Sequence, residues 1–158
     1  MLLTSEKISC ALVTTHIGLH EVADVLTEEK ILKVIQLTDK AMSGILERPT
    51  KIGVLGLNPH CGESGLFGRN EESQIIEPAI KKAAQLGLNV DGPLSPDTAF
   101  VSGNLEAYDA FVCMYHDQGL IPLKMLAFDS AVNVTLGLPI IRTSVDHGTA
   151  LDLSLIHI

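Results

Sequence analysis

Short apolar segments alternate with amphipathic helical segments along this chain, and this alternation constrains the fold more than any other feature. Residues 9–14, 51–57 and 108–115 are short, apolar and bounded by polar or turn residues, which is typical of buried strands. Between them, apolar side chains recur at helical spacing after Thr27 and over about residues 73–86. Strands that alternate with helices favour a parallel sheet covered by helices. We therefore predict an α/β fold with a parallel or mixed sheet.

Glycine and proline residues mark the ends of these segments. Pro49 closes the first helix, and Gly87 stands in the stopping position of the second. Residues 91–97 contain two prolines and are predicted to form a loop, because proline is excluded from helix interiors and central strands. Residues 131–136 and 140–141 supply further β-rich sequence.

Composition limits the classes of function. Nineteen acidic against eleven basic side chains give a net charge of −8, which repels a phosphodiester backbone, so nucleic acid is not an expected partner. The longest apolar runs fall well short of the roughly 20 residues that span a bilayer. The N-terminus shows no secretory signal, so we expect a cytoplasmic protein without a membrane segment. The three cysteines, Cys10, Cys61 and Cys113, lack Cys-x-x-Cys spacing, which argues against a disulfide framework or a thiolate zinc site.

Three histidines, His16, His60 and His116, each lie where a predicted strand gives way to a loop. Ligands of an open α/β sheet bind just beyond the carboxyl ends of its strands, so these residues are expected to converge in space. Three neutral imidazoles that leave one coordination position open are typical of a catalytic metal site. The sequence thus predicts a divalent metal centre, and the alternative is that each histidine is a hydrogen-bonding loop residue.

Lys124, Asn133 and Arg142 follow the third histidine and are candidates for binding an anionic substrate. A guanidinium offers a planar fork that fits phosphate or carboxylate, and basic residues are scarce in this chain. The alternative is a surface lysine and an arginine in a structural salt bridge.

Two further features stay open between a functional and a local structural role. The glycine-rich residues 62–68 allow backbone amides to approach a phosphate, or they form a flexible turn without a nucleotide fingerprint. Asp97 and Asp117 are candidate acid–base groups or groups that hydrogen-bond to a metal ligand and orient it, although loop aspartates also cap turns.

Five sequence phrases carry a family resemblance. They are residues 12–16 (Leu-Val-Thr-Thr-His), 56–63 (Gly-Leu-Asn-Pro-His-Cys-Gly-Glu), 92–98 (Gly-Pro-Leu-Ser-Pro-Asp-Thr), 115–119 (Tyr-His-Asp-Gln-Gly) and 133–150, which begin Asn-Val-Thr-Leu-Gly and end Asp-His-Gly-Thr-Ala. Occurring in this order over nearly the whole chain, they resemble the 4-hydroxythreonine-4-phosphate dehydrogenase family of vitamin B6 synthesis, or close relatives that act on a four-carbon phosphorylated hydroxy acid.

The resemblance implies an isocitrate/isopropylmalate-dehydrogenase-like fold and a homodimer that uses NAD or NADP with a divalent metal such as Zn, Mg or Co. It places the metal ligands at His16, His60 and His116, and the substrate contacts at Lys124, Asn133 and Arg142. The segment implied to contact the dinucleotide consists of Asp146, His147, Gly148, Thr149 and Ala150. Our candidate catalytic residues are Asp97 and Lys124.

The implied reaction is the NAD(P)- and metal-dependent oxidation of 4-phosphooxythreonine (4-hydroxythreonine 4-phosphate) to a β-keto acid that loses carbon dioxide, within pyridoxal 5′-phosphate biosynthesis. Residues 17–21 (Ile-Gly-Leu-His-Glu) replace the family's more usual Pro-Leu-Arg type of sequence. This departure leaves open the related dehydrogenases of phosphorylated threonate or erythronate. The sequence is also compatible with a metal-binding fragment that has no activity and with a metal-dependent hydrolase.

The resemblance also predicts the domain organisation. Family members are about twice as long as this chain, so we expect residues 1–153 to form a partial dehydrogenase domain that is inactive alone. Residues 154–158 (Ser-Leu-Ile-His-Ile) stand where the family has an Ala-Gly-containing cofactor turn, and we predict that they are a non-native tail.

Overall fold

The computed structural model describes residues 1–145, and within them it forms one mixed sheet flanked by helices. The strands are β1 (Leu2–Thr4), β2 (Ser9–Leu12), β3 (Ile52–Leu55), β4 (Val90–Leu94), β5 (Ala110–Cys113), β6 (Val132–Val134) and β7 (Thr143–Val145). The α-helices are α1 (Val22–Val25), α2 (Glu28–Leu46), α3 (Glu77–Gln85), α4 (Ser102–Ala107) and α5 (His116–Ala127). Two 3-10 segments, Leu19–Glu21 and Pro59–Gly65, and a π-helical turn, Glu72–Ile76, complete the described structure.

The strand order is β4-β3-β5-β2-β1-β6-β7. The first four strands in this order pair in parallel, whereas β1, β6 and β7 pair antiparallel. This arrangement confirms the predicted α/β fold with a mixed sheet. One face packs against α2 and α3, and the other packs against α5 around the fully buried Phe111. Buried Cys10 and Cys113 lie in this second layer.

Most of the predicted elements are confirmed with shorter bounds. The three apolar runs contain β2, β3 and β5, and residues 131–136 contain β6. Thr27 caps α2 by accepting a hydrogen bond from the Lys30 amide at 3.2 Å. The helix predicted over residues 73–86 begins as the π-helical turn and continues as α3.

Two predictions gave the wrong position for a strand. Residues 91–97 were expected to be a loop, but β4 extends through Pro93 to Leu94. The strand tolerates this proline because, among the strands of residues 1–145, β4 lies at the edge of the sheet and pairs with β3 alone. Residues 140–141 were expected to be β-rich, yet β7 begins at Thr143, after a turn at Gly137 with φ +80°.

Helix α5 lies close against the sheet because residue 119 is glycine. A Cβ at Gly119 would lie 3.0 Å from both Cys113 Sγ and Leu12 Cδ2. This approach fixes α5, and with it the loop that enters the helix, relative to β2 and β5. Across residues 1–145, no helix combines the length and apolar character needed to cross a membrane. The predicted dinucleotide segment (Asp146, His147, Gly148, Thr149 and Ala150) and the tail at residues 154–158 lie outside the described residues.

Candidate active site at the carboxyl ends of the strands

The three candidate metal ligands follow three neighbouring parallel strands. His16 comes after β2, His60 after β3, and His116 is the first residue of α5, just after β5. Strand β5 pairs in parallel with both β2 and β3. All three histidines therefore leave the sheet at the same edge, where an α/β fold collects its ligands.

His16 and His116 lie together in one cavity. Their ring centroids are 5.5 Å apart and the ring planes are tilted by 46°. The cavity has a volume of about 470 Å³, and Thr15, Tyr115 and Asp117 also line it. Its remaining lining is apolar and consists of Ile17, Leu19 and Val22. Two imidazoles are thus presented to a partly apolar space large enough for a small ligand.

Asp117 controls the orientation of the His116 ring. Its Oδ1 atom lies 2.6 Å from His116 Nδ1, within hydrogen-bonding distance. When Nδ1–H donates to this carboxylate, the Nε2 lone pair of His116 remains available for a metal ion or a proton. A carboxylate behind an imidazole is the usual second partner of a metal-binding histidine. Two roles were considered for Asp117 from the sequence, an acid–base group and a group that orients a metal ligand, and this contact corresponds to the second.

His60 lies in a different cavity. It belongs to the 3-10 segment after β3, where residues 60–64 all have positive φ, and its ring centroid is 6.4 Å from that of Phe67. This cavity has a volume of about 520 Å³ and is lined by Glu63, Ser64, Asn70 and Glu72, among others. In the described part of the chain, no three His, Cys, Asp or Glu side chains are grouped so that they could hold a metal ion. The structure brings together two of the three predicted ligands.

Two buried glutamates hold the start of the His60 loop. Glu72 Oε1 accepts hydrogen bonds from the Leu57 and Asn58 amides at 2.9 and 2.7 Å, and Oε2 accepts from Asn58 Nδ2 at 3.0 Å. Glu71 Oε2 accepts from Asn58 Nδ2 at 3.0 Å and from the Arg69 amide at 2.6 Å. Burial tends to raise the pKa of Glu71, but these hydrogen bonds and the Arg69 charge lower it overall.

Lys124 lies on α5 beside the histidine pair. It lines a cavity of about 300 Å³ with His116, Asp117, Leu120 and Ile121, so this cavity adjoins that of the two histidines. Its Nζ atom lies 5.8 Å from the centroid of the Phe128 ring. Among the predicted substrate-binding residues, Lys124 is the one that shares a cavity with an imidazole, that of His116.

Asn133 and Arg142 lie on the β6–β7 hairpin, at the end of the strand order opposite β4. Arg142 Nη1 donates to Thr135 Oγ1 at 3.0 Å, and Asn133 Nδ2 donates to Met1 Sδ at 3.6 Å. The Asn133 Oδ1 atom is buried and accepts no hydrogen bond within residues 1–145. The Arg142 side chain therefore bonds within this hairpin, and the Asn133 side chain bonds to Met1, which precedes β1.

Asp97 lies in the turn after β4 and is exposed. Its Oδ1 atom accepts a hydrogen bond from Ser95 Oγ at 2.7 Å, which matches the turn-forming alternative for a loop aspartate. Burial and then the Glu72 charge raise the pKa of the Cys61 thiol, and the Asp97 charge adds a smaller contribution. Asp97 is thus near Cys61 of the His60 loop, and it is not among the residues that line the cavity of Lys124.

Several residues that hold the loops at the carboxyl ends of the strands were not predicted from the sequence. Asn58, Glu71, Glu72 and Gln118 are polar residues whose side chains are buried or partly buried against loop backbone. For Asn58 and Gln118, the available signal was their position within the five family phrases. Spacing alone does not show which backbone groups such side chains reach.

Comparison with known proteins supports the sequence resemblance. The sequence model of a family described as pyridoxal phosphate biosynthetic protein PdxA matches residues 1–156. The 4-hydroxythreonine-4-phosphate dehydrogenase of Geobacter metallireducens is 54% identical over 154 residues, which cover 98% of this chain and 45% of that protein. An Oceanobacillus iheyensis protein, provisionally named D-threonate 4-phosphate dehydrogenase, is 49% identical over 98% of this chain and 46% of its own length.

A solved structure shows the same architecture. The 1.25 Å crystal structure of 4-hydroxythreonine-4-phosphate dehydrogenase from Klebsiella pneumoniae matches with a TM-score of 0.87 and 46% sequence identity. The match covers 96% of this chain and 46% of that one. The chain therefore spans slightly less than half the length of these relatives.

Proposed function

This chain belongs to the pyridoxal phosphate biosynthetic PdxA family and has its isocitrate-dehydrogenase-like α/β fold, and from this premise we propose that it serves a dehydrogenase reaction. The proposed substrate is 4-hydroxythreonine 4-phosphate, which is oxidised with NAD or NADP to a β-keto acid that then decarboxylates. The observation that carries the proposal is the His16–His116 pair, which faces a common cavity beside Lys124.

The chemistry of the donors fits a divalent cation at this pair. Two imidazoles converge, and Asp117 holds His116 so that Nε2 faces away from the carboxylate contact. We propose His60, from the neighbouring strand end, as the third ligand. When bound, a divalent ion such as Zn, Mg or Co stabilises negative charge that develops on the substrate hydroxyl oxygen.

The chain's own residues then bind, orient and shield the substrate. Lys124 is placed to bind a negatively charged group of the substrate or to accept the hydroxyl proton, because its cavity adjoins the imidazoles. Asn133 and Arg142 are proposed to bind the charged ends, and Asp97 is retained as a candidate proton acceptor on the His60 side. The side chains of Ile17, Leu19 and Val22 give this cavity an apolar wall.

A chimeric enzyme tests the proposal directly. Residues 1–153 replace the matching segment of the Geobacter metallireducens enzyme, and formation of reduced nicotinamide from 4-hydroxythreonine 4-phosphate is followed with NAD and NADP in turn. We expect turnover that a chelator abolishes and a divalent metal restores. His16→Gln and His116→Gln should each abolish it, whereas Lys81→Gln, at an exposed residue of α3, should not. A folded chimera without turnover would contradict the proposal.

A second substrate is favoured by one comparison and one sequence feature. The Oceanobacillus iheyensis relative bears a threonate-phosphate name, and residues 17–21 differ from the family's usual sequence. The same chimera should therefore be assayed with D-threonate 4-phosphate. A higher kcat/KM for this compound would assign the chain to that branch of the family.

We also propose that the protein acts as a homodimer, as the resemblance implies. Helix α5 supports this proposal because Ile121, Met125 and Phe128 expose 59%, 80% and 64% of their surface along one side of the helix. Sedimentation equilibrium of the chain and of Met125→Asp tests it. A dimer that the substitution dissociates is the expected result, and a monomeric unsubstituted chain would contradict it.

A further inference from the structure

A buried run of side-chain hydrogen bonds crosses the carboxyl edge of the sheet. Thr14 Oγ1 donates to the Met114 carbonyl at 2.7 Å. The Met114 amide in turn donates to Gln118 Oε1 at 2.6 Å, and Gln118 Nε2 donates to the Gly56 carbonyl at 2.8 Å. The side chains of Thr14 and Gln118 thus connect the ends of β2, β5 and β3.

These bonds lie where the regular strand pairing stops. The last ladder bonds between the β2 and β5 chains run from the Val13 and Thr14 amides to the Cys113 and Met114 carbonyls. Beyond them each chain turns into a loop, and the next residues lead to His16, His116 and His60. At this level the Gln118 side chain links the β5 end to the β3 end, and Thr14 Oγ1 adds a second bond to a carbonyl that the Thr14 amide already reaches. The separation between the three loops therefore depends in part on side-chain bonds.

Glutamine is the residue type that satisfies both partners of Gln118. Its amide oxygen faces an N–H group and its amide nitrogen faces a carbonyl, so both ends are used with the correct polarity. Gln118 is buried, with 7% of its surface exposed, so water is not a ready substitute. An apolar side chain here would leave the Met114 amide and the Gly56 carbonyl without their buried partners.

We propose that Gln118, assisted by Thr14, is a positioning residue that sets the spacing of the three histidine loops. The part of this inference that concerns metal rests on the proposed function. The hydrogen bonds of Gln118 go to Met114 and Gly56, so it acts on the histidines through the backbone that carries them. Outer-shell groups that orient ligands change metal affinity by about 10- to 100-fold when they are removed, although they never touch the ion.

The test compares Gln118→Met with Gln36→Met in the 158-residue chain. Gln36 is an exposed residue of α2, so its substitution controls for the change in side-chain chemistry. One readout is the nuclear Overhauser effect between the ring protons of His16 and His116, and the other is the dissociation constant and visible spectrum with Co²⁺ alone. We expect Gln118→Met to weaken the ring-to-ring effect, to raise the cobalt dissociation constant about tenfold and to alter the spectrum. Gln36→Met should change none of these.

A second pair of variants covers a failure of Gln118→Met to fold. Thr14→Val removes one hydroxyl donor and keeps the side-chain shape, whereas Thr14→Ser keeps the donor. We expect Thr14→Val to weaken the ring-to-ring effect and Thr14→Ser to restore it. If Gln118→Met folds and its ring-to-ring effect is unchanged, the proposal is overturned. If Gln118→Met does not fold, a folded Thr14→Val with an unchanged ring-to-ring effect overturns it.

The two proposals fail in different ways. If the unsubstituted chain binds no cobalt, the metal part of the proposed function fails, and the ring-to-ring effect alone still decides the role of Gln118. If cobalt binds and the Gln118→Met chain keeps the unsubstituted dissociation constant, spectrum and ring contact, the positioning role fails while the metal site stands.

Discussion

The imidazoles of His16 and His116 lie 5.5 Å apart because the strands that precede them, β2 and β5, are parallel neighbours in the sheet. Each ring follows its strand by a few residues, so the sheet itself brings them to one edge. Asp117 then fixes one of the two rings through Nδ1. The pair is a product of topology first and of local hydrogen bonding second.

Removing the Asp117 carboxylate should weaken cation binding without unfolding the chain. In Asp117→Ala, His116 loses the partner that favours the Nδ1–H tautomer, so Nε2 is less often available as a ligand. We expect the Co²⁺ dissociation constant, measured by titration calorimetry, to rise about tenfold. Asp129→Ala, at an exposed aspartate just beyond α5, is the matched control and should leave it unchanged. Equal affinities for the two variants would contradict a positioning role for Asp117.

The Glu72 carboxylate should stabilise the His60 loop in a way that its amide cannot. Glutamine at this position would turn its NH₂ group towards Asn58 Nδ2 or towards the Leu57 and Asn58 amides. A flip of the Asn58 amide would not repair this, because Nδ2 also donates to Glu71. We expect Glu72→Gln to lower the free energy of unfolding by about 1–3 kcal/mol.

Urea denaturation measures this loss, and Glu106→Gln supplies the control because Glu106 is an exposed residue of α4. The control should shift the midpoint by no more than a few tenths of a kcal/mol in free energy. If the two variants lose the same free energy of unfolding, the hydrogen bonds of Glu72 do not stabilise the fold more than an exposed carboxylate does.

The elements that sequence predicted best are those with a strong pattern. The three apolar runs became β2, β3 and β5, and the helical spacing after Thr27 gave α2. Parallel order followed from the alternation of strand and helix, and with it the common edge of the three histidines. Motif resemblance supplied the family, which the matching family model confirmed over residues 1–156.

The hydrophobic pattern of the sequence does not show which strands pair with each other or which groups each side chain contacts. Residues 91–97 look like a loop because of their prolines, and only the edge position of β4 explains why a strand forms there. The placement of His60 in a separate cavity depends on the backbone of residues 60–64, where four non-glycine residues have positive φ. Hydrophobic periodicity carries no information on such local backbone choices.

The Arg48–Asp109 pair should make stability depend on pH in the acidic range. Burial tends to raise the pKa of Asp109, but hydrogen bonds from Arg48 and the Lys51 amide lower it overall. A carboxyl whose folded pKa is depressed contributes stability above its unfolded pKa, and that contribution is lost as pH falls through the folded pKa.

The difference in unfolding free energy between the unsubstituted chain and Arg48→Met should therefore be largest near neutral pH. It should shrink as the pH falls below the ordinary Asp value of 3.8. Urea midpoints collected across this range provide the measurement. Lys81→Met removes an exposed i,i+4 partner of Glu77 and is the control. If the difference in unfolding free energy between the unsubstituted chain and Arg48→Met stays constant through the acidic range, the Arg48–Asp109 pair is not the source of the pH dependence.

Two glycine-to-alanine substitutions should change stability in opposite directions. A Cβ at Gly53 in β3 would lie 2.7 Å from Leu94 Cδ1, 3.2 Å from Phe111 Cδ1 and 3.3 Å from Tyr108 Cγ. Overpacking of this kind typically costs about 1–3 kcal/mol, because Phe111 is fully buried and has little room to move. A Cβ at Gly44 in α2 meets nothing within 4 Å, so Gly44→Ala gains helix propensity and should stabilise the chain by about 0.5–1 kcal/mol. Thermal and urea unfolding of both variants measure the contrast, and a neutral or stabilising Gly53→Ala would show that β3 and β4 can separate at little cost.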